Sequence, residues 1–228
     1  MHPDNSWAAF EAAAVEGADA IECDVQATRD GALIVRHDHA LGDRLVLDLT
    51  AAELEAAEPG VIRLADFLDW AERTKIGLLV EIKEPEAAQA IGAIVAVSGA
   101  RDRIVVGGFH GPALAAVKAA QPAVRTSFMI GSVIAAEELL RLAVAYRVDG
   151  VHLCWEARAA RPHRLLDAAF MTRLRRAGLA IALWHEERED ELRALVELEP
   201  DAICTNTPAA LRRIVDAHRM RRAVVNER

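Results

Sequence analysis

Basic charge is in short supply in this chain. Its 27 lysines and arginines are outnumbered by 35 aspartates and glutamates, for a formal net charge of −8. Non-specific nucleic-acid binding needs a basic surface and is disfavoured, so no nucleic-acid partner is expected. A small anion, which meets only a local field, is not disfavoured. Cysteine is scarce as well. Cys23, Cys154 and Cys204 are odd in number and far apart. They fit neither a disulfide framework nor a zinc spacing, and reduced structural thiols are expected. Although 53% of the residues are hydrophobic, no apolar run is long enough to span a membrane. The basic-then-apolar stretch of a secretory leader is missing after Met1, which is followed by His2, Pro3 and Asp4. A cytoplasmic location is therefore expected. Lysine is rare beside arginine, and alanine is abundant, a bias of genomic composition. Neither a linker nor a low-complexity segment divides the 228 residues, a length that suits one barrel domain over 1–228.

What is present repeats. Short runs rich in Val, Ile and Leu occur at 19–25, 77–83, 103–109, 125–130, 149–155, 179–184 and 201–205. Stretches of helical period fall near 6–17, 63–75, 85–98, 111–121, 133–147, 164–177, 187–198 and 207–220. A further turn of helix is expected at 51–58, where Thr50 and Glu53 have capping-box spacing. The alternation predicts βα units around a parallel sheet buried on both faces. Seven strands against eight main helices, with no strand before the first helix, predict an α/β fold: a TIM-type (β/α)8 barrel whose first strand lies upstream of Met1. A doubly wound sheet would carry a glycine-rich phosphate turn after its first strand, and none is present. Seven strands leave two open edges. Marginal stability, a homo-oligomer formed through the gap, or a helix moved inward are the expected consequences.

Charged residues collect at the strand ends. Glu22 and Asp24 are two apart and point to one side. Asp30-Gly31 reads as a two-residue hairpin turn, which would pair Arg29 with Ala32, Gln26 with Val35 and Asp24 with His37. The next strand of the barrel ends in Glu81 and Lys83, and consecutive parallel strands are usually neighbours. Three carboxylates, a histidine and a lysine thus meet on the face where barrel active sites lie. Crowded carboxylates repel, and a hard cation such as Mg²⁺ or Ca²⁺ relieves that. Such an ion polarises a phosphoryl oxygen, while histidine transfers protons near neutral pH. The alternative is a metal-free ion network joining Glu81 to Lys83 and Asp24 to His37.

The stretch PDNSWAAFEAAAVEGADAIECDVQATRDGALIVRHDHAL, with DLTAAEL, VIRLADFL, LLVEIK, GGFH, ALW and ICTNTP after it, resembles the glycerophosphodiester phosphodiesterase family. A PENT-type helix start, a GAD-x-IE-x-DV strand, a T-x-DG turn and a V-x-HD segment carry the resemblance. It implies a metal-dependent phosphoric diester hydrolase that cleaves glycerophosphodiesters to glycerol 3-phosphate and an alcohol. Glu22, Asp24 and Glu81 would bind the metal, His37 would be a general acid/base and Lys83 would contact phosphate. The family opens on an HRG motif upstream of the PENT-type element, which residues 1–228 do not contain, so weak turnover is implied for this stretch alone. The WTVN-like strand end reads Trp184-His185-Glu186-Glu187 here, and TD-x-P reads Thr205-Asn206-Thr207-Pro208. Two other readings stand beside this one: a degenerate barrel that binds a metal or phosphorylated ligand, and a sphingomyelinase D-like lipid phosphodiesterase.

Some residues have two readings. His110 either touches substrate or starts a helix, and Trp184 either lines the glycerol pocket or packs the barrel. His152 and Cys154 alternate on one strand, but a soft-metal pair lacks a third ligand. His185 is expected at the surface, and the arginines near 212–222 on a solvated face of the last helix.

Overall fold

Alternating apolar strands and amphipathic helices give the expected βα succession. The computed structural model describes residues 2–155 and 158–226. In chain order it contains α1 (Trp7–Val15), β1 (Ala20–Ala27), β2 (Leu33–Val35), β3 (Ala40–Leu41), β4 (Arg44–Leu45), α2 (Ala51–Ala57), β5 (Ile62–Arg63), α3 (Leu64–Thr74), β6 (Gly77–Ile82) and α4 (Ala88–Val97). There follow β7 (Ile104–Gly108), α5 (Gly111–Ala120), β8 (Arg125–Ile130), α6 (Ala136–Tyr146), β9 (Gly150–Leu153), α7 (Ala168–Arg176), β10 (Ala180–Leu183), α8 (Glu189–Glu197), β11 (Ala202–Ile203) and α9 (Pro208–Asn226).

Seven strands, β1, β6, β7, β8, β9, β10 and β11, lie side by side in that order and run parallel. They form the wall of a TIM-type barrel. Beyond β1, the strands β2 and β5 add on antiparallel. Register sorts the side chains by face. Asp24, Glu81, Gly107, Ser127, Gly150 and Ala180 are successive partners and point to the barrel interior. The alternate positions, among them Cys23, Val25, Val80, Ile104, Val106, Val151 and Ile181, are buried hydrophobics under the helices. Apolar periodicity works the same way on the helices: α4 buries Ala88, Ile91, Gly92 and Val95, one stripe at helical spacing. Among the described residues no helix is long and apolar enough to cross a membrane.

Local signals set the helix starts. The expected capping box closes α2, with Thr50 and Glu53 satisfying each other's backbone N–H. The stretch expected as a helix from 164 instead begins with a 3-10 turn, Pro162–Leu165. The Asp167 carboxylate then accepts from the Phe170 N–H at 2.6 Å and starts α7 afresh.

Among the described residues no ladder joins β11 to β1. Polar side chains bridge the break instead. Arg212 of α9 donates to the Gly17 carbonyl at 3.2 and 2.7 Å and pairs with Asp19 at 2.6 Å. The expectation of a solvated arginine face holds for Arg213 and Arg221, exposed side chains that pair with Glu189 and Glu197 of α8, and is corrected at Arg212, which turns onto the loop between α1 and β1. On the edge of β1, Asn5 binds the Asp24 backbone and side chain.

Candidate functional site

The interior parity of β1 and β6 brings Glu22, Asp24 and Glu81 together. One carboxylate oxygen from each lies within 4.8 Å of the others. Lys83, just past β6, places its Nζ 3.1 Å from Asp24 Oδ1 and 3.3 Å from Glu81 Oε1, with only 12% of its side chain exposed. Desolvation works against its charge, but Glu81 and Asp24 hold its pKa above the ordinary lysine range. Burial, reinforced by Asp24 and Glu81, pushes Glu22 up to about 8, against the opposing pull of Lys83. Glu81 is also raised, chiefly by burial. With all three carboxylates ionised, the one ammonium leaves two negative charges, the complement of one divalent cation. An all-oxygen donor set suits a hard one. The residues therefore fit a metal.

Glu22 makes this fit pH-dependent. A glutamate that ordinarily titrates at 4.5 ionises in the metal-free fold only near 8. The folded state thus holds this proton more tightly than the unfolded chain does. Its contribution to stability is complete below about 4.5 and disappears as pH rises through about 8. Cation binding needs the carboxylate and runs the opposite way. Mg²⁺ affinity measured by calorimetry is expected to climb roughly tenfold per pH unit toward the upper end of that window. Glu22→Gln should flatten the profile, and a flat profile in the wild type would remove Glu22 from the ligand set.

His37 does not face Asp24. The register is Val25 with Val35, Gln26 with Ile34 and Ala27 with Leu33, one residue away from the expected pairing. The turn has three residues rather than two. The Thr28 N–H donates to Ala32 O and the Gly31 N–H to Thr28 O, both at 2.9 Å, and Gly31 takes φ 81°. The Thr28 hydroxyl, bonded to Asp30 at 2.6 Å and accepting from the Ala32 N–H at 3.0 Å, locks this longer loop. A one-residue shift reverses the face of every side chain, so Asp24 meets Arg36, whose N–H donates to the Asp24 carbonyl at 2.9 Å.

His37 instead sits in the loop after β2, its side chain 65% exposed, with Nδ1 2.9 Å from Asp38 Oδ1. It stays near the cluster, where a protonated ring would oppose the burial that raises Glu81. Its backbone is firmly held. The buried Gln26 Nε2 donates to the carbonyls of Arg36, His37 and Asp38 at 2.8, 3.0 and 2.8 Å. His39 Nδ1 ties the loop to Glu84 at 2.6 Å. Gln26 was invisible as a site residue in the sequence, although its parity with Glu22 and Asp24 was a usable signal.

Farther round the same rim stands an aromatic group. Trp184 follows β10 and meets Phe109, His152 and His185 edge to face at 6.3, 6.2 and 5.3 Å. Phe109 is exposed at the end of β7, an apolar surface on the active face. His110 caps α5, its Nδ1 accepting from the Ala113 N–H at 3.3 Å. His185 is half-buried, 3.6 Å from Glu187. His152 is buried on the interior face of β9. Burial drives its pKa down to about 4, against an opposing contribution from the Leu183 backbone. Among the described residues the grouping able to hold a metal is the carboxylate trio, not His152 with Cys154.

This architecture has relatives. A Mycobacterium tuberculosis protein called "Probable glycerophosphodiester phosphodiesterase 1" is 31% identical over 159 residues, 54% of this chain and 58% of that one. The chain therefore spans little more than half the length of that relative. A second protein of that organism, "Probable glycerophosphodiester phosphodiesterase 2", is 28% identical over 94% of this chain and 86% of its own. Among solved structures, an Oleispira antarctica phosphodiesterase in complex with the product sn-glycerol-3-phosphate superimposes with a TM-score of 0.79 at 19% identity, covering 94% of this chain and 92% of that one. A glycerophosphodiester phosphodiesterase from Thermotoga maritima gives 0.76 at 21% identity, covering 93% and 92%. At these identities the superpositions establish the fold. The model of the Glycerophosphoryl diester phosphodiesterase family matches residues 1–210, and the chain belongs to that family.

Proposed function

We propose that this chain hydrolyses glycerophosphodiesters to glycerol 3-phosphate and an alcohol, with Mg²⁺ or Ca²⁺ held by Glu22, Asp24 and Glu81. The observation that carries this reading is the convergence of those three carboxylates with Lys83 at the ends of two adjacent parallel strands. When bound, the cation supplies Lewis-acid polarisation of a phosphoryl oxygen. The side chains do the rest. Lys83 neutralises the carboxylates and offers a donor to phosphate. His37, engaged through Nδ1, presents Nε2 for proton transfer at the solvent-exposed rim. Trp184 and Phe109 give the glycerol or leaving group an apolar wall, and His110 stands at the same rim. Family membership and the product named for the Oleispira relative support the substrate class.

A second reading, a degenerate barrel that binds a metal or phosphorylated ligand without turnover, uses the same carboxylates and Lys83 and asks no proton transfer of the exposed His37. Two measurements decide. Calorimetric titration of Mg²⁺ and Ca²⁺ should give binding that Glu81→Gln weakens by about tenfold or more, since a metal site depends on its full ligand set. Release of glycerol 3-phosphate from glycerophosphocholine should require the cation and stop in EDTA. Equal affinity in the variant would exclude Glu81 as a ligand. Binding without release would select the second reading.

A further inference from the structure

We propose that Asn5 is a positioning residue that fixes the Asp24 carboxylate in the orientation its ligand role requires, an inference that rests on the cation reading above. Asn5 holds a left-handed backbone, φ 52°. Among the described residues the other non-glycine residues with positive φ are Lys75, Arg147 and Glu199. Lys75 and Arg147 cap the C-terminal ends of α3 and α6, and Glu199 lies two residues past α8, where a left-handed residue is a common way to stop a helix. Asn5 ends no helix. It precedes Ser6, the N-cap of α1, so helix termination does not account for its conformation.

Its contacts do. Asn5 Nδ2 donates to Asp24 Oδ2 at 2.8 Å, and Asn5 Oδ1 accepts from the Asp24 N–H at 3.2 Å. The second bond replaces a missing ladder partner. The Asp24 carbonyl accepts from the Arg36 N–H, but the Arg36 carbonyl is engaged by Gln26. The Asp24 N–H on that edge is served by Asn5 instead. The first bond divides the carboxylate: Oδ2 is held by the amide, while Oδ1 points to Lys83. One side chain thus fixes both the backbone and the rotamer of a ligand before any cation arrives, as outer-shell hydrogen bonds do in metal sites.

A turn-forming role and a positioning role make opposite predictions for Asn5→Gly. Glycine adopts the left-handed backbone at no steric cost, so a mere turn residue would be replaced without consequence. Mg²⁺ and Ca²⁺ are titrated by calorimetry into wild type and Asn5→Gly, and the melting temperature of each metal-free protein is recorded. The expected result is roughly 10–100-fold weaker cation binding, with at most a small fall in melting temperature, because the freedom of glycine at positive φ offsets part of the lost Asp24 bonds. Equal affinity would overturn the assignment of Asn5 and leave the cation reading standing. No binding by the wild type would overturn both. Should stability fall together with affinity, a double-mutant cycle with Asp24→Glu separates the causes. Coupled affinities support positioning through Asp24, and additive ones overturn it.

Discussion

Replacing Lys83 with methionine should lower the stability of the metal-free protein by about 3–5 kcal/mol, the usual cost of breaking a buried ion pair from one side. Lys83 is the cation paired with both Asp24 and Glu81, and those carboxylates are 6% and 5% exposed. Without the ammonium the carboxylates repel one another in a desolvated cluster, and Glu81 rises further toward its neutral form. A divalent cation supplies the missing charge. Urea unfolding in EDTA and in saturating Mg²⁺ should therefore show a large loss in the first condition and a much smaller one in the second. Cation affinity itself should rise in the variant, because the competing internal charge is gone. An equal loss in both conditions would mean that Lys83 acts by packing and not by charge.

His37→Ala should slow release of glycerol 3-phosphate from glycerophosphocholine by roughly 10²–10⁴-fold, the range for one positioned acid/base, on the order of 3–5 kcal/mol of barrier. The reaction takes a proton from the nucleophile and gives one to the leaving alkoxide. His37 is suited to such proton transfer because its ring is exposed, its backbone is gripped by Gln26, and its Nδ1 is held by Asp38. Calorimetry should give an unchanged cation affinity, since His37 is not among the proposed ligands. Turnover unaffected by the substitution would show that the exposed ring is a surface group.

The seven parallel strands, their order and the carboxylate trio were legible because each rests on strand periodicity, whereas the short strands β3, β4 and β5 were not. Glu22, Asp24, Glu81 and Lys83 follow from counting by two along consecutive parallel strands, which pair as neighbours. The hairpin register was not legible. Asp30-Gly31 serves equally as a complete two-residue loop or as the end of a three-residue one. The choice falls to the Thr28 hydroxyl, which makes the longer loop by bonding Asp30 and Ala32. Asp30 also accepts from the Ala51 N–H at 3.0 Å, a tertiary contact no local pattern announces. The same holds for Asn5 and Gln26, whose roles exist only once 19 and 10 residues of chain have folded back.

The clamp between Arg212 and Gly17 has a consequence for how the molecule assembles. Each parallel strand beyond β1 pairs with the parallel strand just before it in sequence, so the wall can grow one βα unit at a time. The bond from Arg212 to Gly17 spans 195 residues. Closing so distant a contact on an unformed chain is entropically costly, but the cost shrinks to that of the remaining gap once the intervening units have docked. The seam is therefore a late event in folding and an early one in unfolding. Its loss should mainly accelerate unfolding and leave the folding rate nearly untouched.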